Sequence, residues 1–402
     1  MPRHHLRAQL NFNSALNGVL DWIGDELSRS SLSRSELMCR VISRNFPQWR
    51  SELARPETPV AAPESEPPEA LQLQLQLPKL FIGKALVYQD ESRENARRAP
   101  AYAMPLALEP TVNVVTVRGD NAHFFSSKRW PVQLSFITDA GDEYGVIFKR
   151  GDDLRQDQLV MQLITLMDEL LRAASLDLRL SPYRVLPTTP RDGYMQYVRA
   201  LQVKEVLDQN GSILAYLQKQ PGNADPSAPL GVAPAVLDNY VRSCAGYSAI
   251  TYILGIGDRH MQNLLLRPDG RLLHIDFGFI LGRDPKPFMT PIRLTREMVD
   301  AMGGTQSEYF KEFKKLFHTC FLQLRKHANL FLNLFALMRD SNVPNIAEEP
   351  DRALQKLQER FHLTDTEEEL VSRLHKLIDE SLGALGATIA EKFHNLAQSW
   401  RT

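Results

Sequence analysis

The stretch from Gly257 to Pro287, GDRHMQNLLLRPDGRLLHIDFGFILGRDPKP, holds acids, a histidine and an asparagine at intervals that suit metal-assisted phosphoryl transfer. Asp276 supplies a hard carboxylate oxygen and Asn263 a carbonyl oxygen, the donor types Mg²⁺ accepts. His260 stands beside Asp258 and brings an imidazole, the side chain best suited to taking a proton near neutral pH. A lone histidine is more often structural than catalytic, but this one is bracketed by Asp258 and Asn263. Asp276-Phe277-Gly278 is a common tripeptide by itself. The information lies in the combination of D-R-H-x-x-N, a hairpin, and then D-F-G.

That combination needs elements to hold it. Leu264-Leu265-Leu266 and Leu272-Leu273-His274-Ile275 read as strands around the turn Pro268-Asp269-Gly270. Such a hairpin places an amide and a carboxylate at neighbouring strand ends, where both can bind one Mg²⁺. Phosphoryl transfer further needs a cation on the phosphates and a loop over them. Lys149 closes the predicted strand Tyr144 to Lys149 and can neutralise phosphate oxygens; the bland reading is a solvated surface lysine. Asp157 opens a predicted helix whose face is Leu159, Val160, Leu163, Ile164, Met167, Leu170 and Leu171. It can pair with Lys149, as a lysine–acid pair does in protein kinases, or simply complement the helix dipole; the roles are compatible. Ser126-Ser127-Lys128 occupies a polar turn with hydroxyls and a cation but no glycines, so it is neither a Gly-rich kinase loop nor a Walker A loop.

The rest of the chain reads as scaffold. With 402 residues there is length for two or three domains and a sizeable core. A net charge of -1 gives no global field toward nucleic acid or an anionic surface. Cys39, Cys244 and Cys320 are isolated, which predicts buried free thiols in a reducing compartment. No apolar run is long enough to span a bilayer, and the start Met1-Pro-Arg-His-His carries no secretion signal, so a cytoplasmic address is expected. Residues 1–54 predict a helical segment with apolar positions such as Leu16, Val19, Leu20 and Ile23. Residues 55–110 are a Pro- and Glu-rich linker followed by a poorly assigned stretch containing the alternation LQLQLQL, Leu71 to Leu77. Strands at Val112 to Val117, Val132 to Ile137, Tyr144 to Lys149 and Tyr194 to Val198 predict a small antiparallel lobe. After residue 200 the pattern is mainly helical: Leu237 to Leu254, Glu308 to Asp340, and a terminal stripe of Leu382, Leu385, Ile389, Phe393, Leu396 and Trp400.

From about Thr111 onward the chain resembles the catalytic domain of phosphatidylinositol 3-/4-kinases, in particular the class III 3-kinases of endosomes and autophagy. The resemblance is carried by VIFKRGDDLRQDQL (Val146 to Leu159), SPYRVL (Ser181 to Leu186), SCAGYSAITYILGIGDRHMQNLLL (Ser243 to Leu266) and HIDFGFILGRDPKP (His274 to Pro287). It continues in MGGTQSEYF (Met302 to Phe310) and the closing AQSWR. It implies an α+β, bilobal, protein-kinase-like fold: a small antiparallel β-rich lobe over 111–200 and a larger, mainly helical lobe over 201–402. That larger lobe would close with an amphipathic helix that touches the membrane. It implies ATP with Mg²⁺ or Mn²⁺ as cofactors and transfer to the 3-hydroxyl of phosphatidylinositol; a 4-kinase, a related protein kinase or a non-catalytic kinase-like module are the alternatives.

Position by position, the resemblance puts Lys149 on the α-phosphate and Ser127 in the covering loop. Asp157 and Tyr183 line an inner pocket, and Gln196 and Val198 form the adenine-reading hinge. Asp258 and His260 belong to the catalytic loop, with Asn263 and Asp276 on the metal. Substrate choice falls to Phe279 to Arg293, where the basic residues are only Arg283, Lys286 and Arg293. Extra ring phosphates need cationic partners, so this sparse segment implies unphosphorylated phosphatidylinositol. The implied partners are phosphatidylinositol in membranes and a class III regulatory subunit, with peripheral placement on endosomal or autophagic membranes and no nucleic acid. Two departures stand out: Gln262 occupies a position usually held by Asp, and residues 1–110 do not resemble the C2 and helical domains expected upstream.

Overall fold

A computed structural model describes residues 103–125, 131–285, 290 and 292–399. The expectations for the N-terminal helical segment, the linker, the Leu71 to Leu77 alternation, Cys39, the Ser126-Ser127-Lys128 turn, Lys286 and Trp400 lie outside these residues. Among the described residues, one compact unit comprises residues 103–104, Asn113–Ala122 and Leu134–Glu143, and a larger one comprises Pro105–Val112, the described part of His123–Gln133, and the described chain from Tyr144 onward.

The first strands are β1 (Met104–Leu106), β2 (Glu109–Phe124), β3 (Val132–Thr138) and β4 (Glu143–Arg150). The valine-rich stretch expected to be extended is the front half of β2. In the smaller unit, Asn113 Nδ2 donates to Asp139 Oδ2 at 3.2 Å, and the Asp139 amide donates to the Asn113 carbonyl at 3.1 Å. The turn beside it uses Gly141 at φ 88°, a left-handed angle that glycine adopts without a Cβ clash.

In the larger unit, α1 (Arg155–Ala173) follows β4 and buries the predicted face, with Leu159, Val160, Leu163, Ile164, Met167 and Leu171 inside and Leu170 partly so. Then come β5 (Val185–Thr189) and β6 (Asp192–Gln196). β6 pairs antiparallel with β4, aligning Lys149 with Gly193 and Val146 with Gln196, and β5 pairs antiparallel with β6. The sequence did not announce β5, because Pro187 and the Thr-Thr-Pro that follows read as turn residues. Pro187 is accommodated beside a bulge between Pro187 and Thr189.

The helical part begins with β7 (Leu201–Gln202), α2 (Val203–Asn210), α3 (Ile213–Lys219) and α4 (Pro234–Ile253). Pro234 opens α4, where a missing amide costs nothing. Fifteen of its residues are buried, so it is apolar nearly all round and forms the centre of the core. β8 (Leu264–Leu266) and β9 (Leu272–His274) follow, then α5 (Arg296–Asp300), α6 (Glu308–Arg325), α7 (Ala328–Leu337), α8 (Pro344–Ala347), α9 (Pro350–Arg360) and α10 (Glu367–Ser399). The helical stretch expected from Glu308 to Asp340 is two helices. The apolar spacing of α6 (Phe313, Phe317, Phe321, Leu324) runs on in phase through Ala328, Phe331 and Phe335, so the break at Lys326-His327 leaves no mark in the pattern. What changes is the partner: α6 packs on α4, whereas Phe331 of α7 stacks on Phe361 at 6.0 Å beyond α9.

Together the antiparallel strands and the helices make the α+β, bilobal, kinase-like architecture that was expected. Cys244 and Cys320 are free and fully buried, and burial pushes both thiols well above their usual range. Among the described residues no helix is long and apolar enough to cross a membrane.

Candidate active site

The predicted hairpin is present and buried. Leu264 pairs with His274, Leu265 with Leu273 and Leu266 with Leu272. Its turn carries Gly270 at φ 88°, and a Cβ there would lie 2.3 Å from the Val236 carbonyl oxygen, so only glycine fits. Helix α4 pins the hairpin: the Leu272 amide donates to Ser243 Oγ at 2.9 Å, and Asn239 Nδ2 donates to the Asp269 carbonyl at 2.9 Å. His274 stacks on Tyr247 with centroids 5.1 Å apart, and burial lowers its pKa well below the usual imidazole range. This histidine is core.

The two acids flank the hairpin in left-handed backbone, Asp258 at φ 50° and Asp276 at φ 61°. Each such conformation costs about 1–3 kcal/mol and persists only where surroundings enforce it. Arg259 does so here. Its side chain is 4% exposed, and its guanidinium donates to three carbonyls: Nε to Gly257 at 2.8 Å, Nη1 to Ile275 at 2.7 Å, and Nη2 to Asp276. The same cation lies 5.4 Å from the centre of the Phe277 ring. One side chain therefore ties both acid-bearing segments together. Asn263, also buried, donates its Nδ2 to the Asp258 carbonyl at 2.9 Å, and this fixes which end of the amide remains for a ligand. The Ile275 amide donates to the Asn263 carbonyl at 3.1 Å, so Asn263 and Asp276 sit on adjoining chain ends, as the hairpin predicted.

His260 Nε2 lies 3.7 Å from Asp258 Oδ2, with both side chains part exposed. Its Nδ1 is buried without a hydrogen-bond partner, so Nε2 is the nitrogen that can take part in chemistry beside the carboxylate. Gln262 is exposed and sits between Met261 and the buried Asn263.

The Phe277 peptide is gripped from both sides by the first turn of α1. Asp157 Oδ1 accepts its amide at 3.3 Å, and Gln156 Nε2 donates to its carbonyl at 2.6 Å. Gln156 Oε1 in turn accepts the Asn345 amide at 3.0 Å, and Asn345 Oδ1 accepts the Ile280 amide at 3.0 Å. Burial pushes Asp157 up to about 6, with Lys149 pulling it down, Asp276 pushing it up and the Phe277 amide pulling it down. Lys149 makes its ion pair with Asp152, at 3.5 Å, so the expected Lys149–Asp157 relation is a longer-range attraction. Tyr183 is buried with its hydroxyl unpartnered, and burial followed by the Asp157 charge raises its pKa well above the phenol range. Gln196 ends β6; its amide donates to the Arg184 carbonyl at 2.8 Å, its side-chain Oε1 accepts the Arg184 amide at 3.1 Å, and Val198 packs partly against the core.

After Gly278 the chain folds back along the loop that precedes Asp258. The Gly257 amide donates to the Phe279 carbonyl at 2.9 Å, and the Asp258 amide donates to Asp284 Oδ2 at 2.9 Å. A Cβ at Gly257 would lie 2.1 Å from the Arg283 carbonyl oxygen, which explains a glycine at this crossing. Arg283 is ion-paired with Glu348 and lies 3.6 Å from Glu349. Arg293 is half-buried with Nε unpartnered, and desolvation lowers its pKa. Among the described residues there is no cluster of three or more His, Cys, Asp or Glu side chains that could hold a metal ion. One carboxylate at Asp276 and one amide oxygen at Asn263 instead match a cation that takes its remaining ligands from phosphates and water.

Comparison with known proteins decides the family. The family model for phosphatidylinositol 3- and 4-kinase matches residues 143–220 and 202–348. The chain belongs to the phosphatidylinositol 3- and 4-kinase family. It is 47% identical over 303 residues to phosphatidylinositol 3-kinase pik3 of Schizosaccharomyces pombe, covering 75% of this chain and 38% of that protein. It is 48% identical over 294 residues to the root isoform of phosphatidylinositol 3-kinase from Glycine max, covering 73% and 36%. The chain thus spans about a third of the length of the curated relatives it matches.

Within this family member, the sequence marks candidate residues by their chemistry but not the residues that hold them in place. Arg259 was legible only as the middle of D-R-H, and Gln156 only as the neighbour of Asp157. Asn345, 189 positions from Gln156, offered no signal beyond following Val343-Pro344 at a helix start. Ser127 and Lys286 lie outside the described residues.

Proposed function

We propose that the chain transfers the terminal phosphoryl group of ATP to the 3-hydroxyl of phosphatidylinositol. The observation that carries this reading is the Arg259 clamp, which fixes Asp258, Asn263 and Asp276 on adjoining backbone as one rigid unit. Asn263 and Asp276 would hold Mg²⁺ or Mn²⁺, which supplies charge neutralisation on the phosphates when bound. Lys149, kept near β4's end by Asp152, and Ser127 take the phosphate oxygens; Gln196 and Val198 present backbone to adenine; Asp157 and Tyr183 line the inner pocket. His260 Nε2 accepts the proton as the inositol 3-oxygen bonds to phosphorus and ADP departs, with Asp258 beside it stabilising the imidazolium that results.

The described basic side chains after Asp276 are few, and Arg283 is neutralised by Glu348, which supports unphosphorylated phosphatidylinositol as the substrate. The relatives named phosphatidylinositol 3-kinase support the 3-hydroxyl over the 4-hydroxyl. On the same basis we place residues 111–200 and 201–402 as the two kinase lobes. A class III regulatory subunit would be the partner, and endosomal or autophagic membranes, met peripherally through the amphipathic terminal helix, the site of action.

The test is an assay of purified protein with ATP and vesicles of phosphatidylinositol, its 4-phosphate or its 4,5-bisphosphate, with product position read by chromatography. Phosphatidylinositol 3-phosphate from the first substrate is the expected product. Phosphate on the 4-hydroxyl would overturn the assignment, and undiminished turnover in Asp276→Ala would overturn the metal role.

A further inference from the structure

Arg283 and Asp284, in the segment that follows Asp276, meet different partners. Asp284 Oδ2 accepts the Asp258 amide at 2.9 Å, so this carboxylate faces the catalytic loop. Arg283 enters ion pairs with Glu348 and Glu349, the latter at 3.6 Å. Those two acids are held in turn. Glu348 directly follows α8, whose Asn345 is fastened to Ile280 and, through Gln156, to Phe277. Positions 277, 280 and 283 are therefore attached, at three-residue intervals, to one short stretch of chain from Asn345 to Glu349. Glu349 is itself steadied by Arg352, whose Nη1 lies 2.9 Å from its Oε2.

At this corner Arg283 spans the carboxylates of Glu348 and Glu349, and Glu349 is shared with Arg352. A phosphate on the inositol ring would have to draw Arg283 away from Glu348 and Glu349 and would meet their negative charge once it did. The acids are 58% and 47% exposed, so the competition takes place in solvent and is screened by salt.

We propose that Glu348 and Glu349 are specificity-determining residues: by sequestering Arg283 they withhold the cation that a phosphate on the inositol ring would need. The inference rests on the lipid-kinase reading above and deepens it from few cations in the segment to a described cation actively occupied. It assigns a substrate-selecting role to residues some 65 positions beyond the segment that meets the lipid.

The experiment compares wild type, E348Q/E349Q and E348Q/E349Q with Arg283→Ala in two readouts. The first is the ratio of turnover on phosphatidylinositol 4-phosphate to turnover on phosphatidylinositol. The second is sedimentation with vesicles of each lipid, with phosphatidylserine vesicles of matched surface charge as the control. The expected result is a ratio raised about three- to tenfold in the double variant, shrinking with added salt, and a matching gain on 4-phosphate vesicles. Arg283→Ala in the same background should remove both gains. An unchanged ratio and unchanged sedimentation in folded double variant would overturn the proposal, as would gains that survive Arg283→Ala or appear equally on phosphatidylserine. If wild type forms no 3-phosphate from phosphatidylinositol, the functional reading falls, and the sedimentation result still decides the role of the acids.

Discussion

Arg259→Lys is the perturbation that probes the site most sharply. Arginine serves three carbonyls, of Gly257, Ile275 and Asp276, because its planar fork presents several N–H bonds in fixed directions. A lysine ammonium keeps the charge but is a single point on a shorter stem, and it can satisfy about one of them. Two charge-assisted hydrogen bonds are lost, each worth about 1.5–3 kcal/mol, for a gross cost of about 3–6 kcal/mol. The bond to the Asp276 carbonyl is only part-buried, and water replacing the lost donor there would reduce the net cost to about 2–4 kcal/mol. The two left-handed acids are what that energy restrains, so the loss falls on their placement. At 1.36 kcal/mol per tenfold this is a fall of roughly 30- to 1,000-fold in kcat. The assay is steady-state turnover at saturating ATP alongside a thermal melt, with Arg259→Met reporting removal of the charge as well. A kcat within threefold of wild type in folded Arg259→Lys protein would refute the clamp.

Other predictions follow from neighbouring contacts. Gln156→Leu preserves volume but leaves the Phe277 carbonyl and Asn345 amide unpaired; denaturant unfolding should show a loss of about 2–4 kcal/mol, and a loss below 0.5 kcal/mol would contradict the bridge. Asp157 has a raised pKa, so its folded form binds a proton more readily than the unfolded chain. Its contribution to stability is present below the ordinary carboxylate range and is lost as pH rises through about 6. Over that interval the wild type should lose up to about 3 kcal/mol that Asp157→Asn, still able to accept the Phe277 amide, does not lose. Melting temperatures of the two proteins between pH 4.5 and 7 should therefore diverge, and parallel curves would contradict the buried-acid account. Gly257→Ala places a Cβ against the Arg283 carbonyl and should destabilise by about 1–3 kcal/mol in the same unfolding assay while lowering turnover; wild-type behaviour would show that this crossing is not tight.

What could be read from the sequence was local. The β8–β9 hairpin is announced by its own leucines and by Pro268-Asp269-Gly270, and hairpin geometry then carries Asn263 and Asp276 to adjoining ends without further information. The face of α1 is written in its spacing, and the burial of Cys244 and Cys320 in their isolation. What could not be read depends on partners far along the chain. Arg259 donates only to backbone carbonyls, groups that every residue owns, so nothing in its neighbours' side chains marks it. Gln156 and Asn345 meet across 189 positions through amides that have no period. Pro187 masks a real strand, and the break between α6 and α7 falls where the apolar spacing continues undisturbed. Arg283 counts as an available cation on paper, whereas Glu348 and Glu349, from a region with no motif, occupy it.

We propose that Asn263 and Asp276 hold one metal ion together. Electron paramagnetic resonance titration of Mn²⁺ with a non-hydrolysable ATP analogue measures this directly in wild type, Asn263→Ala, Asp276→Ala and the double variant. Two ligands of one ion should be coupled, so the double variant should bind only slightly worse than the weaker single variant, with a coupling of about 1 kcal/mol or more. Strictly additive losses, or undiminished Mn²⁺ binding in Asp276→Ala, would contradict the account.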